Sequence, residues 1–382
     1  MNSSQAWQRR LGHYEVGSEI YVNKSQALLA ATAKNLPVRW NFNDEVYRSI
    51  DWTIPVLTPL SELYRIRAQQ LREKYDHLIL YFSGGADSTN VLHSFIDNGI
   101  FLDEIVMQYP KPVESTMNDE DKDNNNYFSE IKFAAIPHLQ NMRNRIHPNT
   151  KIRIVDQYKD TIDLFSKDNW FETFPLATMI TPAGAGRQLS AIKDPELDLL
   201  FAKGIRVCQI FGVDKPLVTI NDSGDYVAYF VDANATHAVP TGYDLGDLVS
   251  KFFFVEFFYW TPDLPEIVIK QAQMIKQAAE NSVFIKEVVK NSTRLHAEKL
   301  RDVLHPIIYC HEANEIGFQV GKPSSQVYRP MDKWFWAPEF KIAQQNYINV
   351  INYLGTNIRT EFFSQGNVYK GLNSMHSEAH KL

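Results

Sequence analysis

The sequence predicts an α/β fold, a parallel sheet covered by helices on both faces, with a mostly helical C-terminal part. Three observations carry this. Short apolar strands alternate with helical stretches between residues 61 and 211, the pattern of a sheet buried on both sides. A glycine-rich turn, Ser83-Gly84-Gly85, joins the first of these strands to a helix. Beyond Pro262, apolar residues recur at helical rather than strand spacing.

The elements follow in order. Residues 1–60 mix aromatics and turns without clean periodicity and read as an N-terminal extension. Residues 61–75 form an amphipathic helix, with Leu63, Ile66, Leu71 and Tyr75 on one face and Ser61 as its N-cap. His77 to Phe82 is a strand, and Thr89 to Asn98 a helix closed by Gly99. Ile105 to Tyr109 is the second strand. The acidic, asparagine-rich Glu114 to Asn126 stretch reads as a surface loop, and a helix follows over 128–145. Lys151 to Asp156 is the third strand. A single helix over 187–203, ended by Gly204, leads into the fourth strand, Ile205 to Phe211. Leu217 to Asn221 and Tyr226 to Val231 pair as a hairpin around Asp222-Ser223-Gly224-Asp225. Helices are expected at 265–280, 283–302 and 338–353, with the last ~20 residues frayed. This divides the chain into an extension (1–60), an α/β domain (61–260) and a helical region (261–382).

Composition narrows the function classes. The chain has 382 residues, 44% of them hydrophobic, enough for a core without disulfide or metal staples. The net charge of −6 argues against broad nucleic-acid binding and leaves room only for a local basic groove, so a nucleic-acid substrate stays open. Two cysteines, Cys208 and Cys310, both beside apolar residues, exclude a disulfide scaffold and a four-cysteine zinc site. The most apolar run, Phe252 to Trp260, contains Glu256 and is too short to span a bilayer. The N-terminus lacks the apolar core of a secretory signal. A cytoplasmic protein with no membrane partner is the expectation.

The segment Phe82-Ser83-Gly84-Gly85-Ala86-Asp87-Ser88-Thr89 carries chemistry. Two glycines let successive N–H groups converge on one concavity. The helix behind adds its positive dipole end. Ser83, Ser88 and Thr89 add hydroxyls. The result is a cradle for phosphate at the carboxyl end of a strand, where open parallel sheets bind ligands. It is neither a Walker A loop nor a dinucleotide fingerprint. Gly317 to Pro323 is one residue short of a Walker spacing and carries Pro323 where Ser or Thr is required.

These residues match the SGGxDS signature of the PP-loop ATP pyrophosphatases, and the chain resembles that family, most closely the synthase domain of asparagine synthetase. The resemblance covers roughly residues 60–220. It implies a sheet of the adenine nucleotide alpha-hydrolase (HUP) type, with ATP and Mg²⁺ as cofactors. It further implies that Ser83, Gly84, Gly85, Ser88 and Thr89 hold phosphates, and that Asp87 takes part in catalysis and holds the metal. Gln108 and Tyr109 lie where similar enzymes place the adenosine. Leu200 to Val207 leading into Gly212-Val213-Asp214-Lys215 is similar to a second family segment. There Asp214 would hold Mg²⁺ and Lys215 would balance phosphate charge, although the family's acidic neighbours of that aspartate are absent.

Such enzymes adenylate a substrate oxygen, release pyrophosphate, and let ammonia, an amine or a sulfur species displace AMP. Two separated cysteines argue against the sulfur-inserting branches. Asn2 stands where an attached glutaminase would carry cysteine. The acceptor is then a small molecule or amine, with ammonia free or delivered by a partner. A sulfonucleotide enzyme resembling phosphoadenylyl-sulfate reductase is one alternative, and a nucleotide-binding module without turnover is another. Thr181 to Arg187, small residues opening a helix, form a further candidate in which Arg187 clamps a phosphate or carboxylate. The set His305, Cys310, His311 and Glu312 matches no known zinc spacing. Trp334-Phe335-Trp336 reads as core or a domain contact.

Overall fold

The computed structural model describes residues 6–116, 131–173, 182–213, 215–232, 251–290, 301–309, 333–362 and 372–382. Near the N-terminus, β1 (His13–Val16), β2 (Glu19–Tyr21) and β3 (Arg39–Asn41) pair antiparallel in the order β2-β1-β3. The helix Lys24–Lys34 packs on them. Local chemistry sets its ends. The Asn23 side chain accepts from the Gln26 N–H, and Asn35 closes the helix in the left-handed region at φ 51°.

The central sheet contains β4 (His77–Tyr81), β5 (Glu104–Tyr109), β6 (Lys151–Asp156), β7 (Val207–Phe211) and β10 (Phe253–Phe257). Its order is β10-β7-β4-β5-β6, and every neighbouring pair is parallel. The chain moves outward from β4 through β5 to β6, then returns to the other side of β4 with β7 and β10. The strand order therefore reverses between β4 and β7, the doubly wound arrangement whose crevice opens beyond the carboxyl ends of those two strands. Largely apolar sequences explain the central strands: β5 and β7 are buried at every position, with Glu104, Gln108 and Gln209 as their polar members.

The helix before β4 runs Leu60–Lys74 and starts from Pro59 rather than a Ser61 cap. Its buried face, Leu60, Leu63, Tyr64, Ala68 and Leu71, includes Arg67. Arg67 is compensated from β10: its guanidinium meets Glu256 Oε2 at 3.0 Å and the Phe257 carbonyl at 2.9 Å. Burial pushes the Glu256 carboxyl up, yet Arg67 and Lys74 outweigh it and hold it below its ordinary value. The Phe252 to Trp260 run thus supplies the fifth sheet strand, a role its apolar character alone did not disclose.

Two helical expectations need correction. The 187–203 stretch is two helices, Pro182–Ile192 and Pro195–Ala202. Pro195 cannot continue the first, and Asp194 caps the second through the Glu196 N–H. The 128–145 stretch contains a π turn, Ile131–Ala135, running into Ile136–Asn141. The described ends of the 283–302 stretch are helical, in Val283–Lys290 and Arg301–Ile308, and residues 291–300 lie outside the described set. The helices Glu266–Asn281 and Lys341–Asn357 form as expected.

The hairpin forms from β8 (Leu217–Ile220) and β9 (Tyr226–Tyr229). A third strand, β11 (His380–Lys381), adds to β9. The C-terminus is therefore not frayed over 372–382. His380 stacks on Trp52 at 4.6 Å, and Leu382 is buried. Asp232, fully buried, accepts from Lys24 Nζ (2.5 Å), Tyr14 Oη (2.8 Å) and the Met375 N–H (2.8 Å). This ties the N-terminal sheet to the chain end. Trp334 and Phe335 are core, packed among Tyr158, Phe165 and Tyr347. Among the described residues, no helix is long and apolar enough to cross a membrane.

Candidate functional site

The 82–89 segment sits at the reversal point. Phe82 continues β4 by donating to the Val106 carbonyl at 2.9 Å. The chain then turns through Ser83 and Gly84 into the helix Ala86–Ile96, capped by Gly85. Gly84 is required twice over. Its φ is +70°, and a Cβ there would lie 2.5 Å from the Ala135 nitrogen of the π turn. The turn is so tight that the neighbouring backbone occupies the space a side chain would need. From the other side, a Cβ on Gly212 would approach the Asp87 carbonyl to 3.1 Å and the Ser88 nitrogen to 3.2 Å. The loop after β7 therefore lies directly against the first turn of the helix after β4.

Hydroxyl groups line this turn. Ser88 Oγ donates to the Gly85 carbonyl at 3.1 Å and lies 3.4 Å from Ser83 Oγ, which also accepts from the Gly85 N–H. Ser83, Gly85 and Asp87 are half-buried, whereas Ser88 and Thr89 are buried. Thr89 Oγ1 has no hydrogen-bond partner among the described residues. The helix start supplies N–H groups and a positive dipole end.

Asp87 is the best-supported side chain of the site. Lys215 Nζ lies 3.6 Å from Asp87 Oδ1, and the lysine is almost wholly buried. The Tyr309 hydroxyl donates to the same carboxylate oxygen. The Tyr259 hydroxyl donates to the Asp87 backbone carbonyl at 2.8 Å and accepts from Asn90 Nδ2 at 2.9 Å. Burial pushes the Tyr259 phenol well up, with the Tyr64 and Asp87 charges adding to it, so it stays protonated as a donor. Behind the loop, His138 faces Phe82 at 5.9 Å between ring centres. Burial, then the charge of His93, lowers its pKa to about 4.

The structure thus brings Ser83, Gly84, Gly85, Asp87, Ser88, Thr89 and Lys215 into one place. Asp214 lies outside the described residues, as do Cys310, His311, Glu312, the 317–323 segment and the side chain of Arg187. Gln108 is buried at the end of β5 and donates to Ser190 Oγ at 2.8 Å, which ties the sheet to the 182–192 helix. The Tyr109 hydroxyl donates to Glu114. Gly186 sits where a Cβ would come within 1.9 Å of Thr161 Oγ1, so its smallness serves close helix packing rather than approach to a ligand. Sequence reasoning passed over Tyr259 and Tyr309. Reading 253–257 as a strand would have put Tyr259 at a carboxyl end of the sheet; nothing local marked Tyr309.

The donor set suits an oxyanion with a hard cation. It offers hydroxyls, backbone N–H groups, a lysine and an accessible carboxylate, and Mg²⁺ is commonly held by one or two carboxylates plus phosphate oxygens. Among the described residues, no cluster of three or more His, Cys, Asp or Glu side chains forms a complete metal cage. Comparison with family models and with curated proteins finds no match for the chain.

Proposed function

We propose that this chain binds ATP at the 83–89 turn and adenylates an oxygen of an acceptor, with release of pyrophosphate. Ammonia or an amine then displaces AMP. In this reading the doubly wound sheet is of the adenine nucleotide alpha-hydrolase (HUP) type, and the protein is an asparagine synthetase-like ligase. One observation carries the reading: at the β4–β7 reversal, a glycine turn, a helix N-terminus and the Asp87–Lys215 pair converge.

Each group has a task. The N–H groups at the helix start and the hydroxyls of Ser83 and Ser88 hold phosphate oxygens. Asp87, with Asp214 supplied by the loop after β7, takes the cation. Lys215, already paired with Asp87, offsets the negative charge of the phosphates, and Arg187 is the second candidate clamp. When bound, Mg²⁺ withdraws charge from the phosphate oxygens and eases pyrophosphate departure. The protein supplies position and charge rather than a covalent nucleophile. Cys208 agrees with this: it is fully buried in β7, and burial holds its thiol far above the usual range.

Incubation with ATP, Mg²⁺ and a metabolite pool tests the reading. Equimolar AMP and pyrophosphate are expected. Binding of ATP without release of either product would instead identify a nucleotide-holding module, and turnover of a sulfonucleotide would identify the third alternative.

A further inference from the structure

We propose that Tyr309, delivered by the C-terminal helical region, is a positioning residue that sets the Asp87 carboxylate for a divalent cation. The inference rests on the nucleotide reading above and extends its site beyond the α/β sheet.

Asp87 is held from three directions. Tyr259, just past β10, fixes its backbone carbonyl. Lys215, after β7, sets the charge at Oδ1. Tyr309, directly after the helix Arg301–Ile308, donates its hydroxyl to that same oxygen across 222 positions of sequence. A carboxylate on the first turn of a helix has rotamers pointing toward solvent as well as toward the sheet. A hydroxyl donor from a separate element selects one of them. Groups that hydrogen-bond metal ligands act in this way, and their loss commonly costs about 10–100-fold in metal affinity.

Tyr309 is itself well anchored. It is 3% exposed, and its ring packs 5.7 Å from Tyr259 and 5.2 Å from His305. One residue earlier, the Ile308 carbonyl accepts from the Tyr64 hydroxyl at 2.7 Å, and Tyr64 accepts from Gln271 Nε2 at 2.9 Å. A buried polar chain thus fixes the end of this helix against the 60–74 and 266–281 helices. A tyrosine needed only to fill space there would do so equally well as phenylalanine. Its hydroxyl instead ends on the one carboxylate of the phosphate turn.

The test is the Mg²⁺ dependence of nucleotide uptake in Tyr309→Phe. The variant keeps the ring and removes only the donor. Calorimetry with a non-hydrolysable ATP analogue is run without Mg²⁺, then with Mg²⁺ titrated at saturating analogue. The half-saturating Mg²⁺ concentration should rise about 10–100-fold, with Mg²⁺-free analogue affinity within about twofold of wild type and an unchanged melting curve. Tyr309→Leu, which also lacks the donor, serves if the phenylalanine protein does not fold. An unchanged Mg²⁺ half-saturation overturns the inference and leaves the nucleotide reading standing. Tighter Mg²⁺ binding also overturns it, because Tyr309 would then compete for Asp87 rather than set it. Wild-type protein that takes up no analogue overturns both.

Discussion

Lys215 Nζ lies 3.6 Å from Asp87 Oδ1, joining the loop after β7 to the helix after β4. The two residues come from opposite sides of the sheet's reversal point, and Gly212 makes the approach possible by leaving room for the Asp87–Ser88 backbone. A nearly buried lysine stands beside a partly exposed carboxylate, and in the proposed reading the phosphate takes over part of that lysine's charge.

Asp87→Ala and Ser83→Ala should each lower AMP formation by about 100-fold or more while leaving the fold intact. Both side chains are partly exposed and neither fills the core. Product assays alongside far-ultraviolet circular dichroism check this; wild-type turnover in both variants would remove the site assignment.

Gly84→Ala should be far more harmful than Gly99→Ala. Both positions have positive φ, +70° and +66°, so each substitution carries about 1–2 kcal/mol of backbone strain. A Cβ on Gly99 meets nothing within 4 Å, whereas one on Gly84 strikes the backbone of Ala135. Urea unfolding of the two variants isolates the clash, and equal losses would contradict the packing described for the turn.

Lys24→Met should destabilise the protein by about 3–5 kcal/mol, because it leaves the buried Asp232 carboxylate without its cation. Residues 372–382 should lose protection first, since the Lys24 ammonium also donates to the Asn373 carbonyl at 2.6 Å. Hydrogen exchange at the C-terminus reads this directly; a variant as protected as wild type would show that the pair contributes little.

His138 makes stability fall with acid. Its folded pKa is about 4 against an ordinary 6.5, so between these values the unfolded chain binds the extra proton. The contribution is complete above pH ~6.5 and is lost as pH falls toward 4, by up to about 3 kcal/mol before solvent screening reduces it. His138→Gln should flatten that slope in denaturant titrations run from pH 7 to 4, and an unchanged slope would assign it to other groups.

Cys208→Ala should retain turnover, because a thiol held protonated in the core is no nucleophile. Loss of turnover in the folded variant would revive a thiol mechanism.

The part of the fold written in local pattern was legible. β4 to β7 are short apolar runs bounded by turns, and Ser83-Gly84-Gly85 announces its own conformation. The Asp194-Pro195 break was written locally too, as a cap followed by a residue that cannot extend a helix, yet the expectation ran one helix through it. The rest depends on partners far along the chain. Glu256 disguises β10, and its burial makes sense only with Arg67, 189 positions away, and Lys74. Tyr259 and Tyr309 look like ordinary apolar-run aromatics until the sheet and the C-terminal helices set their hydroxyls around Asp87. The C-terminal strand depends on β9, and the polar character of residues 372–382 conceals it.

Calorimetric titration of a non-hydrolysable ATP analogue with Mg²⁺ into wild type and Asp87→Ala tests the central claim most directly. The account predicts saturable one-site binding to wild type, weakened at least about tenfold in the variant. Absence of binding to wild type, or equal binding to both proteins, would contradict it.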